Sequence, residues 1–137
     1  MKEIKAPQGI QIKRNYEKEK KIEEINKIRY FCYEIYYQNL DIGESIYKIK
    51  QDPEIHWYIG TFVIDEQYRQ KGYGSYLLKY LCNIMWSENS LPIIIYPAPV
   101  NCKKEDFIDW LTKRGFVENH DILPGKIYYS LYPQCFL

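Results

Sequence analysis

The order of its hydrophobic patterns assigns this chain to the α/β (α+β) class, with a mixed sheet and packed helices. Two observations carry that expectation. Strand-like runs rich in branched and aromatic residues crowd the first half, whereas strands alternate with two amphipathic helical patterns in the second. A basic, glycine-containing turn then joins the longest expected strand directly to the clearest expected helix. With 137 residues, 46% hydrophobic and 27% charged, the chain suits a single domain over 1–137 with one core.

Residues 9–14 alternate around Ile10 and Ile12 and predict a first strand with one packed face. Residues 17–27 are polar helix formers, with Ile22, Ile25 and Ile28 along one stripe. The run 28–37 fits two patterns: Ile28, Cys32 and Ile35 suit a helix, but its aromatic and branched residues favour a strand, the reading adopted. Asn39, Asp41 and Gly43 predict a turn before a short strand at 45–49. Pro53 interrupts 51–54 ahead of the long strand at 55–64. The clearest helix covers 75–86, with Leu77, Leu78, Leu81, Ile84 and Met85 on one side. The compact apolar run 91–96 suits a central strand and ends at Pro97 and Pro99, which lack backbone donors. A second helix at 103–114 carries Glu105 and Asp106 in its first turn and Gly115 beyond its last, and a final strand spans 126–132.

The net charge of +1 is too small to favour a disordered polyelectrolyte, and nucleic-acid binding is only a third choice. Basic residues concentrate near the start within a mixed-charge run, which reads as a solvated helix face, and no nucleic-acid motif accompanies them. Cys32, Cys82, Cys102 and Cys135 are scattered without metal-like spacing, so no metal is expected. No run is long and apolar enough to cross a bilayer, and a reduced, cytoplasmic protein without a membrane partner is the default expectation. Exposed edge strands leave a homodimer open.

The turn Arg69-Gln70-Lys71-Gly72-Tyr73-Gly74 carries the chemistry. Gly72 and Gly74 let the backbone pass close to an anion, and the first N–H groups of the following helix point towards it. Arg69 and Lys71 add positive charge, and Ser75 either caps the helix or reaches a phosphate oxygen. Neither the nucleotide loop ending in Gly-Lys-Ser/Thr nor the three-glycine dinucleotide fingerprint is present.

This turn resembles the Arg/Gln-x-x-Gly-x-Gly/Ala pyrophosphate signature of the Gcn5-related N-acetyltransferases (GNAT), in particular their compact, phage-like members. The likeness extends back through 61–65, forward through 75–78, and resumes at Lys113-Arg114-Gly115-Phe116. It implies a mostly antiparallel sheet whose central strands, at 55–64 and 91–96, run parallel and splay to admit the pantetheine arm of acetyl-coenzyme A. The resemblance further implies that the main chain of Phe62 and Ile64 pairs with the pantetheine amides, and that Arg69, Gln70, Lys71, Gly72, Tyr73, Gly74 and Ser75 hold the pyrophosphate. Asn101 stands where the family often uses Asn near the cofactor, although a helix cap explains it equally. Phe107 and Trp110 would cover the thiol end or pack in the core.

Such enzymes transfer acetyl directly to an amine, here a small molecule or a protein lysine, with a slight preference for the lysine. Attack needs a proton acceptor and a donor to the leaving thiolate. His56, at the mouth of the long strand, and Glu54, acting through water, are the candidate bases, with plain solvation as the simpler alternative for each. The family often places a tyrosine four residues before its late Gly-Phe pair; here that position is Leu111, which cannot be an acid. Tyr96 is the first replacement among fifteen tyrosines, ahead of Tyr73, Tyr128 and Tyr129. The departure at Leu111 motivates an alternative: a catalytically silent coenzyme A-binding or protein-interaction module on the same fold. His120 is expected in a turn over 118–121, and Cys102 as a packing thiol without a local base.

Overall fold

The computed structural model describes residues 4–133, so Cys135 lies outside the described residues. The elements in chain order are β1 (Ile10–Arg14), α1 (Tyr16–Asn26), β2 (Phe31–Tyr37), β3 (Leu40–Lys50), β4 (His56–Ile64), a 3-10 turn (Glu66–Tyr68), α2 (Tyr73–Glu88), β5 (Ile93–Ile95), α3 (Lys104–Lys113), β6 (Val117–Asn119) and β7 (Tyr128–Leu131). They form one seven-stranded sheet in the order β1-β2-β3-β4-β5-β7-β6. All neighbours are antiparallel except β4 and β5, which run parallel as the resemblance implied.

Tyr33, Ile35, Tyr47, Trp57, Ile59, Ile64, Ile93 and Ile95 form one buried face, against which α2 lays Leu77, Leu78, Leu81, Cys82 and Met85. Leu111 and Phe116 close the same core from α3 and the residues after it. Gly115, at φ 100°, reverses the chain after α3, where the Gly115 and Phe116 N–H groups return to the Thr112 and Leu111 carbonyls.

The N-terminal half corrects several expectations. The turn falls at Gln38 and Asn39, both with positive φ, two residues that form a tight hairpin loop. β3 therefore starts at Leu40, and Asp41 and Gly43 lie inside it rather than in a turn. The stripe on α1 is not its packing side: Ile25 is 80% exposed and Ile28 45%, while Glu19 is buried. Polar contacts hold this helix instead. Asn15 Oδ1 caps it by accepting from Lys18 N–H. Glu19 accepts two hydrogen bonds from Arg14 at 2.8 and 2.9 Å and one from the Cys32 amide at 2.9 Å. Lys18 reaches Glu44 on β3 at 2.6 Å.

At the other end, β6 occupies 117–119, so Glu118 and Asn119 are in a strand and His120 follows it. Its three polar or exposed residues gave no alternation to read; pairing with β7 fixes it, helped by Asn119 Nδ2 donating to Ser130 Oγ at 2.9 Å. The central strand is also shorter than expected, 93–95 rather than 91–96.

Candidate functional site

β4 pairs with β3 along its whole length, to Ile64 opposite Gly43, but with β5 only at Trp57, Tyr58 and Ile59. Beyond Ile59 and Ile95 the two parallel strands separate. Gly60 is the extra residue of a bulge opposite Ile46 and Tyr47, which bends β4 at this fork. Residues 60–64 consequently have main-chain groups on the β5 side with no strand to pair them. The Asp65 N–H turns towards β3, donating to Ile42 O at 2.7 Å, while Ile64 O faces the other way and accepts from Arg69 Nε at 2.7 Å. Strand alternation places the N–H and C=O of Phe62 on the same open side as those of Ile64.

A cleft of about 720 Å³ starts at this open edge. Of the twelve expected cofactor residues, Phe62, Ile64, Arg69, Gln70, Gly72, Gly74, Ser75, Asn101, Phe107 and Trp110 border it. Lys71 and Tyr73 do not; Tyr73 instead stacks on Tyr37 with centroids 6.1 Å apart. Phe107, Trp110 and Phe62 make an aromatic wall, with centroids 6.1 Å apart in the first pair and 5.6 Å in the second.

The turn at the cleft's far end is shaped by backbone conformation. Gln70 and Gly72 have φ of 61° and 83°, and a Cβ at Gly72 would meet nothing within 4 Å. The glycine is there for its left-handed conformation rather than for lack of space. Gly74 is the opposite case, since a Cβ on it would come 3.3 Å from Trp110 Cζ2; its smallness lets the aromatic wall approach α2. The first intrahelical bond runs from Tyr76 N–H to Gly72 O at 3.0 Å, so the N–H groups of Tyr73, Gly74 and Ser75 precede the ladder and are available to an anion.

Two side chains have duties different from those expected. Arg69 is a strap: beside Ile64 O, its guanidinium donates to Asn101 O and Val100 O, each at 2.9 Å, and ties the end of β4 to the loop after β5. Ser75 does not cap α2, whose N-cap is Gly72. Its Oγ accepts from Arg114 Nε and Nη2 at 2.8 and 2.6 Å. Arg114 was missed as a cleft residue. It lies 39 positions from Ser75, and nothing in the local sequence signals that the end of α3 reaches the start of α2.

The candidate proton-transfer residues lie on the other side of the fork. Register and alternation put His56, Tyr58, Ile94, Tyr128 and Ser130 on the face opposite the α2 core. Tyr96 directly follows the last paired residue of β5, and its ring stands 5.0 Å from that of Tyr128, which is 6.4 Å from Tyr58. Lys104 Nζ and Lys126 Nζ lie 5.6 and 5.3 Å from the Tyr96 ring, and Lys50 Nζ 5.0 Å from that of Tyr58. Burial raises the Tyr58 phenol above its usual pKa. His56 is 1% exposed rather than solvated, with Nδ1 2.7 Å from Glu54 O, and burial lowers its pKa, as does Lys50. Its Nε2 is buried without a hydrogen-bond partner. Glu54 is exposed, so its main-chain carbonyl is what positions the imidazole. Tyr129 is buried in the core, and neither it nor Tyr73 joins this group.

Among solved structures the chain superimposes on a GNAT-family protein of Desulfovibrio desulfuricans with a TM-score of 0.71 and 11% identity, covering 90% of this chain and 98% of that one. Arabidopsis thaliana Naa50 in complex with the bisubstrate analogue CoA-Ac-MVNAL gives a TM-score of 0.62 at 19% identity, with 89% and 96% covered. The PaiA N-acetyltransferase of Thermoplasma acidophilum, in complex with coenzyme A, gives 0.61 at 16% identity, with 80% and 64% covered. At these identities the likeness is one of fold. No curated protein matches the sequence. Residues 9–116, which contain the fork, the turn and both helices of the cleft, match the acetyltransferase (GNAT) family, and the chain belongs to that family.

Proposed function

We propose that the protein transfers the acetyl group of acetyl-coenzyme A to a primary amine by direct attack, with a protein lysine as the acceptor. The observation that carries this is the fork: a parallel pair that stops at Ile59 and Ile95 and opens, along an unpaired edge, into a cleft ending at a glycine turn and a helix N-terminus. The residues fit such a ligand. The open edge offers peptide donors and acceptors, the left-handed Gly72 turn leaves free N–H groups for a pyrophosphate, and the aromatic wall is apolar. When bound, acetyl-coenzyme A supplies a thioester whose acyl carbon is open to an amine.

Within this reading, Phe62 holds the pantetheine amides by its main chain, and the N–H groups of Tyr73, Gly74 and Ser75 hold the pyrophosphate. Arg69 keeps the loop at 100–101 against β4 and so fixes the cleft's width. On the far face, His56 is kept neutral by burial and can take a proton at Nε2, relayed by water, since four residues of strand, about 13 Å, separate it from Gly60. Tyr96 gives its phenolic proton to the departing sulfur.

Tyr58 and Tyr96 remain partly exposed, and one helix alone links β1 to β2, which suits an amine presented on a protein surface. Lys50, Lys104 and Lys126 over these rings favour a lysine in acidic surroundings over a polycation. Isothermal titration is expected to give saturable acetyl-coenzyme A binding at micromolar or lower concentration, and acetylated lysine should appear on acidic peptides. No binding at millimolar ligand would end the proposal. Leu111, buried in the core at 1% exposure, favours a second reading as a silent coenzyme A-binding module. Tight binding without transfer across a broad panel of peptides and amines would select that one.

A further inference from the structure

Beside the main cleft lies a second, smaller one of about 370 Å³, lined by Ser75, Leu78, Lys79, Lys113 and Arg114. The two share Ser75 and Arg114. Their charges differ: around the larger cleft Glu66 and Asp106 offset Arg69 and Arg114, whereas three of the five residues around the smaller are cationic and none is acidic. Lys79 stands one helical turn beyond Ser75 on α2, so both point to the same side. Arg114 is held before any ligand arrives. Its guanidinium lies 4.0 Å from the centre of the Trp110 ring, forks onto Ser75 Oγ, and donates to Trp110 O at 3.0 Å. Those three bonds use three of its five N–H groups and leave two free; Ser75 accepts twice and keeps its own hydroxyl proton to donate. Lys113 places one donor on Asp109 at 3.1 Å and has two more. A helix-to-helix tie needs Arg114 and Ser75, but it does not need Lys79, nor a cavity beside it.

We propose that this basic cleft binds a phosphate monoester, the 3′-phosphate on the ribose of coenzyme A, and so makes the protein discriminate coenzyme A from its 3′-dephospho form. The assignment rests on the reading that the turn after β4 holds the pyrophosphate of the same ligand. A dianion next to the pyrophosphate needs a cationic neighbour, and the shared Ser75 and Arg114 make the two anion sites contiguous. The glycine turn alone would hold either form equally.

Isothermal titration of the whole protein with coenzyme A and with 3′-dephospho-coenzyme A tests this. The parent protein is expected to bind coenzyme A roughly tenfold more tightly. The double variant Lys79→Ala/Lys113→Ala changes two exposed side chains and should fold; it is expected to bind coenzyme A as weakly as the dephospho form, with affinity for the dephospho form unchanged. Equal affinities in the parent, or full discrimination retained by the double variant, overturn the phosphate subsite while leaving coenzyme A binding intact. Saturable binding of neither ligand overturns the coenzyme reading, and the subsite with it.

Discussion

The two sides of the β4–β5 fork are built from different materials. On the cleft side the polar groups belong to the main chain of one stretch, from Phe62 through the left-handed Gly72 to the free N–H groups that open α2. On the opposite face, the proposed acceptor side, they are side chains, His56 and Tyr58 from β4, Tyr96 from the end of β5 and Tyr128 from β7. A main-chain site depends on conformation, so most substitutions leave it intact and only a change of backbone preference or charge disturbs it. A side-chain site can be dismantled one atom at a time.

The largest expected effect tests the main-chain side. Gly72→Asp places a carboxylate where the helix terminus should meet a pyrophosphate, and coenzyme A affinity should fall by about a hundredfold or more. The fold should survive at the cost of local backbone strain, because a Cβ at this position meets nothing within 4 Å and Asp, like Asn, can enter the left-handed region. Gly72→Asn separates charge from conformation: Asn tolerates the left-handed region, and its loss of affinity should be several times smaller. Equal losses in titrations of the two variants would show that the backbone, not the field, is what position 72 supplies.

Tyr96→Phe tests the side-chain side. It keeps the ring against Tyr128 and deletes only the hydroxyl, so maximal single-turnover acetyl transfer should drop about tenfold with coenzyme A affinity unchanged. Tyr128→Phe, at a ring 8% exposed, is the matched control and should slow transfer much less. An unchanged chemical step in the Tyr96 variant would return the proton to water.

The same division explains what could be read in advance. The turn and the apolar side of α2 were legible because each is a local pattern, a glycine spacing or a hydrophobic period, whereas the parallel pair followed only from the family resemblance that the turn carries. The cleft's other wall was legible in part, as Phe107 and Trp110, three residues apart on α3, fit a helical pattern. Arg114 was not, since its role appears only when α3 comes to rest beside Ser75. Arg69 was assigned to an anion because it is a cation in a glycine turn, yet three carbonyls, one at the end of β4 and two in the loop after β5, claim its guanidinium. The Ile22, Ile25 and Ile28 stripe misled for the converse reason: α1 docks through Arg14, Glu19, Lys18 and Glu44, and a charged helix needs no apolar side when ion pairs and a buried carboxylate seat it.

The smallest effect concerns His56. Glu54 O accepts a hydrogen bond at 2.7 Å from Nδ1, so the neutral ring carries its proton there and leaves the Nε2 lone pair bare in the interior. That is the tautomer a base at Nε2 requires, held ready at the cost of a buried, unpartnered acceptor. Burial, then the nearby Lys50, hold the folded-state pKa below the usual 6.5 of the unfolded chain. Between those two values the unfolded state binds more protons than the folded one, so His56 lowers stability as pH falls through about 6.5 and on to the folded value. Above 6.5 its contribution is fully present. The slope cannot exceed about 1.4 kcal/mol per pH unit for a single group. Urea unfolding from pH 7.5 to 5.0, compared between the parent and His56→Gln, isolates this share from that of the carboxylates. The parent should lose more stability than the variant over the lower half of that range. Parallel curves would mean that His56 protonates as readily folded as unfolded, and the ring would then not be a base held neutral by burial.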